Sequence, residues 1–140
     1  MPGLFALSEK SKANRIGVDA RLIRISERAI QISKVDFGIG PDGGVRTDAR
    51  QAELFAAGKS KCDGVTKRSP HQDGKALDPT AYHGGVPIWE HRYYAMIAVA
   101  FFQAANELGH RIRWGGMFST GPVVDGVPYG WDCPHFELID

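Results

Sequence analysis

The segment 69–78, SPHQDGKALD, sets a histidine and an aspartate seven residues apart, with Pro70 directly before His71 and Pro79 directly after Asp78. A third such residue, His135, sits near the C-terminus in WDCPHFELID. Two imidazoles and one carboxylate make a ligand set suited to zinc, which in catalytic sites keeps three protein ligands and leaves its fourth position to water. That open position lowers the pKa of the water toward about 7. Asp132, three residues before His135, is the natural candidate for a base that takes the proton of such a water, and Pro134 stiffens the link between them.

Each of these residues also has an ordinary reading. A lone histidine in a loop is usually a solvated imidazole, and an aspartate before proline is a common turn former. His135 could be a satisfied strand residue. Spacing alone leaves both readings open, because nothing in it says that residues 71–78 and 132–135 meet in space.

The elements that would position them can be read from periodicity. Val18, Leu22, Ile25, Ala29 and Ile32 recur in steps of four and three, which predicts a helix, and VDFGI at 35–39 reads as a short strand. TDARQAELFAAG predicts a second helix with Thr47 as N-cap, Asp48 in the first turn and Gly58 at the stop. Residues 59–74 are polar and glycine-bearing and read as loop, and KALDPTAY reads as extended because Pro79 bars a helix. After Pro87 the spacing predicts the longest and most buried helix, 88–108, ended by Gly109. RIRWGG reads as a strand, 117–130 as a long loop and HFELI as an alternating strand. The expected fold class is α+β, a small antiparallel sheet with helices packed on it.

The 140 residues are enough for one domain with its own core, and no linker marks off a second domain. A net charge of +1, with no run of Lys/Arg longer than two, offers no field for nucleic acid. Cys62 and Cys133 form no C-x-x-C, and reduced thiols are expected. The N-terminus lacks the form of a signal peptide, and the run 93–105 is too short to cross a bilayer, so no membrane insertion is expected.

SPHQDGKALD resembles the S-x-H-x-x-G-x-A-x-D signature of the zinc D-alanyl-D-alanine carboxypeptidase and L-alanyl-D-glutamate peptidase family, at Ser69, His71, Gly74, Ala76 and Asp78. WDCPHFEL is similar to the second signature of its phage endolysin branch. The likeness extends to VDFGIGPDGGVRTDARQAELFAAGKSK before the first signature and to AANELGHRIRWGG before the second. It implies a hedgehog/DD-peptidase-like fold, with zinc held by His71, Asp78 and His135 and with Asp132 as the general base. It also implies that Arg46 steadies the oxyanion that develops on the substrate carbonyl, where a fixed positive charge counts most. Ser69 would support the site or touch substrate, and Trp131, beside Asp132, is read as a substrate-facing aromatic.

The implied activity is hydrolysis of a peptide bond in the peptidoglycan stem peptide, foremost as an L-alanyl-D-glutamate endopeptidase acting as a phage-type endolysin. The alternatives are a D-alanyl-D-alanine carboxypeptidase or dipeptidase, and a non-catalytic zinc-containing binding module on the same fold. The protein is expected to act as a monomer, made in the host cytoplasm and reaching the cell wall once the membrane is permeabilised. Two features depart from the branch: Met117 stands where an acidic residue is usual, with a longer loop after it, and Cys133 lies beside the base. A thiol there would close the metal site, but alternation along an extended segment turns it away. His83, His91 and His110 are not expected to bind metal.

Overall fold

Ser8 begins the first helix, α1 (Glu9–Asn14), by accepting a hydrogen bond from the Ser11 amide at 3.1 Å. No apolar stripe announces this element in the sequence, and the cap accounts for it. The structure is a computed structural model that describes residues 4–118, 120–124 and 127–140, with backbone alone at 120–122, 124 and 127–129. The chain continues through α2 (Ala20–Ile32), β1 (Asp36–Ile39), α3 (Asp48–Ala56), β2 (Ala76–Leu77), β3 (Pro79–His83) and β4 (Val86–Ile88). It then forms α4 (His91–Leu108), β5 (Ile112–Trp114), β6 (Thr120–Val124), β7 (Val127–Gly130) and β8 (Phe136–Leu138).

The expected stripe of α2 is the buried one: Leu22, Ile25 and Ala29 are fully enclosed and pack toward α4. On α4 the enclosed face is Tyr94, Ile97, Phe101, Ala104 and Ala105, so this helix is the centre of the core. Phe101 stacks on Phe136 of β8 with ring centroids 4.2 Å apart and meets Phe37 of β1 at 5.5 Å. One aromatic side chain thereby ties the helix to strands of two sheets. No helix among the described residues is long and apolar enough to cross a membrane.

The α+β class holds, and among the described residues the strands divide over three small antiparallel sheets, ordered β1-β3-β4, β2-β8-β5 and β6-β7. Several finer expectations need correction. Pro87 lies inside β4 and pairs with Tyr82, and α4 starts later, at His91. The region read as a long loop at 117–130 holds the hairpin β6-β7, whose pairing is interrupted between Thr120 and Val123. Within the segment read as loop before β2, Pro70–Asp73 wind into a 3-10 turn. These pieces are too short for apolar periodicity to register. The third helix follows expectation, with Thr47 accepting from the Arg50 amide at 3.0 Å.

A tie from α2 steadies the turn that carries His71. Asp19 caps α2 by accepting from the Arg21 amide at 2.9 Å, and its carboxylate also takes Lys75 Nζ at 2.6 Å. Its amide in turn donates to the Gly74 carbonyl at 2.8 Å. Hydrogen bonds from Arg21 and then Lys75 hold the Asp19 carboxyl well below the usual carboxylate range. A folded-state pKa lowered in this way contributes stability above the unfolded value and loses it as pH falls through that range. Asp19→Ala is expected to cost about 0.5–2 kcal/mol at neutral pH. The gap to wild type should shrink below about pH 4, as the Asp19 carboxylate of the unfolded chain takes up its proton while the folded one resists, which denaturant melts at pH 7 and pH 3 will read.

Candidate metal centre and active site

His71 sits in the 3-10 turn, and the turn is fastened at both ends. Ser69 Oγ accepts from the His71 amide at 3.2 Å, while the Gln72 side chain accepts from the Ser69 amide at 2.8 Å, a reciprocal cap. Gly74 closes the turn at φ 70°, a conformation that L side chains rarely adopt, and an added Cβ would meet the Gly17 carbonyl at 2.8 Å. The buried Ser69 is therefore occupied in shaping the backbone under His71.

Asp78 occupies the single position between β2 and β3, where the chain passes from one sheet to the next. Its amide donates to the Gly43 carbonyl at 2.8 Å. The register of β2 on β8 pairs Ala76 with Glu137 and Leu77 with Phe136. One step further along that antiparallel register sets residue 78 opposite residue 135. This pairing, which spacing could not disclose, is why two distant segments converge.

His71 Nε2 and His135 Nδ1 each lie 3.0 Å from Asp78 Oδ1, and the three ligand atoms fall within 4.8 Å of one another. The outward ring nitrogens have fixed partners. His71 Nδ1 lies 2.9 Å from the Gly44 carbonyl, which can only accept, so that nitrogen carries its proton. His135 Nε2 lies 2.9 Å from Glu137 Oε1 and donates to it in the same way. Both inward nitrogens then present lone pairs to a carboxylate oxygen, an arrangement that repels unless protons or a cation lie between them. The two 3.0 Å separations at Asp78 Oδ1 are near the spacing of about 3.3 Å that donors about 2.0–2.1 Å from one zinc ion would have. His71 and His135 are 1% and 5% exposed, so water does little to screen that repulsion. The donor set fits a divalent ion.

The electrostatics agree with this picture. Burial raises the Asp78 carboxyl and the charges of His71 and His135 oppose it; the latter win and hold it below the carboxylate range. Burial lowers His135, but hydrogen bonds from Asp78 and Glu137 outweigh that and lift it to about 10. Asp132 is pushed up, by burial first and by the charge of Asp78 second. Its Oδ2 is 3.9 Å from His135 Nδ1, at the edge of the metal group but outside it.

Arg46 comes to the same place. Its Nη2 is 3.5 Å from Asp78 Oδ2, and its Nε and Nη1 donate to the Asp42 carbonyl and Gln51 Oε1 at 3.0 and 3.2 Å. Held from two sides and mostly enclosed, the guanidinium is a fixed charge beside the carboxylate. Trp131 is 43% exposed on the cleft wall, tilted against Phe118 at 5.7 Å, with Lys61 Nζ 4.3 Å from its ring centre. All seven residues singled out in the sequence line one cleft of about 860 Å³.

Cys133 behaves as expected for a different reason. Residues 132–135 form a turn, not a strand, and the thiol is buried in the core, where it donates weakly to the Gly130 carbonyl at 3.7 Å. Both cysteines are free thiols. Among the described residues, His83, His91 and His110 belong to no metal-ligating group. Trp114 belongs to the core through Phe136, at 6.5 Å.

Glu137 was not singled out in the sequence. The signal was present, since alternation along HFELI places residues 135 and 137 on one face of β8. A carboxylate that fixes the tautomer of a metal-binding histidine typically accounts for 10–100-fold in metal affinity. Glu137→Ala is expected to weaken zinc binding by about that factor, and Glu137→Gln, which keeps an acceptor, to recover most of it. Competition against a chromophoric chelator measures both. The Gly44 carbonyl had no signal at all, because every residue type carries one.

Comparison with known proteins follows the same lines. A model of the phage L-alanyl-D-glutamate peptidase family matches residues 3–139. The fold is similar to the crystal structure of the Serratia marcescens L-Ala D-Glu endopeptidase ChiX, with 38% identity, a TM-score of 0.80, and coverage of 96% of this chain and 90% of that one. No curated protein sequence matches the chain.

Proposed function

The chain belongs to the phage L-alanyl-D-glutamate peptidase family, and on that premise we propose that it cuts the L-alanyl-D-glutamate bond of the peptidoglycan stem peptide as a zinc-dependent, phage-type endolysin. The observation that carries the reading is the convergence of His71, Asp78 and His135 on one point at the floor of a cleft, with a carboxylate and a guanidinium beside it.

His71 Nε2, Asp78 Oδ1 and His135 Nδ1 are the proposed zinc ligands. When bound, zinc supplies a Lewis acid that polarises the scissile carbonyl and makes a water acidic enough to attack near neutral pH. Asp132 takes the proton of the attacking water and passes it to the amine nitrogen of the D-glutamate as the bond breaks. Its raised pKa suits both halves of that transfer. Arg46 faces the carbonyl oxygen as negative charge builds there; because Gln51 and the Asp42 carbonyl already hold it, little reorganisation is needed at that moment. With zinc bound, His71 Nε2 and His135 Nδ1 would be the unprotonated ligand atoms, while the Gly44 carbonyl and Glu137 hold a proton on each outer nitrogen.

The whole chain serves as one catalytic domain that works as a monomer and meets the cell wall after the membrane is opened. Digestion of purified peptidoglycan, followed by mass spectrometry, tests the reading. New N-terminal D-glutamate should appear, vanish with chelator and return with zinc. Release of D-alanine or its dipeptide would instead make the protein a carboxypeptidase or dipeptidase, and intact peptidoglycan would leave it a binding module.

A further inference from the structure

The cleft is bipolar. Its floor holds Asp78, Asp132 and Glu137, while its rim carries lysines from the segment between α3 and the 3-10 turn. Rim arginines are already engaged: Arg68 pairs with Asp73 at 2.8 Å, and Arg113 approaches Glu137 at 3.8 Å. Lys59, Lys61 and Lys67 differ. All three are exposed, and none has a carboxylate within ion-pair reach among the described residues. Lys61 instead rests its ammonium over the Trp131 ring, spanning from one wall of the cleft to the other.

The segment that presents them is fastened to the catalytic machinery. The Gln51 side chain is fully buried; its amide nitrogen donates to Ser60 Oγ and the Cys62 carbonyl, both at 2.8 Å, so it grips the residues on either side of Lys61. Its oxygen accepts from Arg46. Asp63 gathers the Val65 and Lys67 amides at 2.9 and 2.8 Å. Three lysines held at a cleft mouth without anionic partners are a ready counter-charge for an anion brought by the substrate.

A substrate cut before D-glutamate brings one. That residue has two carboxyl groups, and whichever continues the peptide, the other stays available on the same residue whose nitrogen the cleavage releases. Resting on the proposed L-alanyl-D-glutamate cleavage, we propose that Lys61, supported by Lys59 and Lys67, forms the subsite that reads this free carboxylate, the Lys61 ammonium leaving the Trp131 ring to pair with it. The subsite selects substrates in which the carboxylate is free over those in which it is an amide. It also offsets the repulsion between that carboxylate and the acidic floor.

Two synthetic stem peptides, identical except for a free carboxylate or a carboxamide at this position, test the subsite. Wild type should prefer the carboxylate by about tenfold in kcat/KM, chiefly through KM, as one charge-assisted contact predicts. Added salt should erode the preference. In the combined Lys59→Gln, Lys61→Gln, Lys67→Gln variant the ratio should collapse to within about twofold, and Lys61→Gln alone should account for most of the loss. Calorimetric titration with the product peptide that begins with D-glutamate should show a matching loss of affinity. Equal rates for the two peptides in wild type, or a preference that survives in the triple variant, would overturn the subsite. Cleavage of neither peptide would sink the peptidase reading instead, and the titration would still decide the lysines.

Discussion

Asp132→Asn is expected to keep its fold and its zinc while losing hydrolysis by about 10²–10⁴-fold in kcat, the usual contribution of a positioned general base. The change is nearly isosteric. The Asp132 carbonyl would still accept from the His135 amide at 3.0 Å, and its amide would still reach the Gly115 carbonyl at 3.3 Å, so the turn leading into β8 should persist. What disappears is a carboxylate 3.9 Å from His135 Nδ1 and outside the three-residue metal group. Since that carboxylate is not a proposed ligand, zinc content measured by atomic emission should stay at about one ion per chain, as three remaining ligands can hold it. Activity on a stem peptide should fall in kcat more than in KM. A variant that keeps full activity removes Asp132 from the chemistry, and one that loses zinc as well makes it a ligand.

The other large effect belongs to His71. Its ring is almost wholly enclosed, with one nitrogen committed to the Gly44 carbonyl and the other to the metal group. His71→Ala removes a ligand and leaves a buried carbonyl without its donor, which costs about 1–3 kcal/mol of stability on its own. Two ligands hold zinc poorly, so metal content after dialysis should drop toward zero and hydrolysis by about 10³-fold or more. Thermal melts separate the two consequences. Zinc should raise the Tm of wild type, because an ion that binds only the folded chain stabilises it by mass action, and chelator should reverse this. In His71→Ala neither zinc nor chelator should move the transition. Stoichiometric zinc in that variant would exclude His71 from the ligand set.

The helices were open to sequence reasoning wherever burial imposes a period. Leu22, Ile25 and Ala29 mark α2, and Tyr94, Ile97, Phe101 and Ala104 mark α4, because one face of each must leave water. Caps at Thr47 and Gly109 were legible because local hydrogen bonding and a left-handed φ favour few residue types. The short pieces were not: β2 has two residues and β4 three, and each exists because a partner strand supplies its hydrogen bonds.

At the site, the chain by itself determined the chemistry on offer: two imidazoles, two carboxylates and a guanidinium, in segments whose glycines and prolines bar regular helix, with a likeness to known peptidases carried by short signatures. Residue type sets donor atoms and charge, and these survive in any fold. Which nitrogen of each histidine faces inward, that Glu137 and the Gly44 carbonyl hold the outer ones, that Gln51 links Arg46 to the lysine-bearing segment, and that Asp78 stands opposite His135 were decided only by the tertiary structure. The physical reason is that each of these depends on the relative placement of chain segments remote in sequence, and placement is fixed by strand register and by core packing through Phe101 and Phe136, to which no local pattern has access.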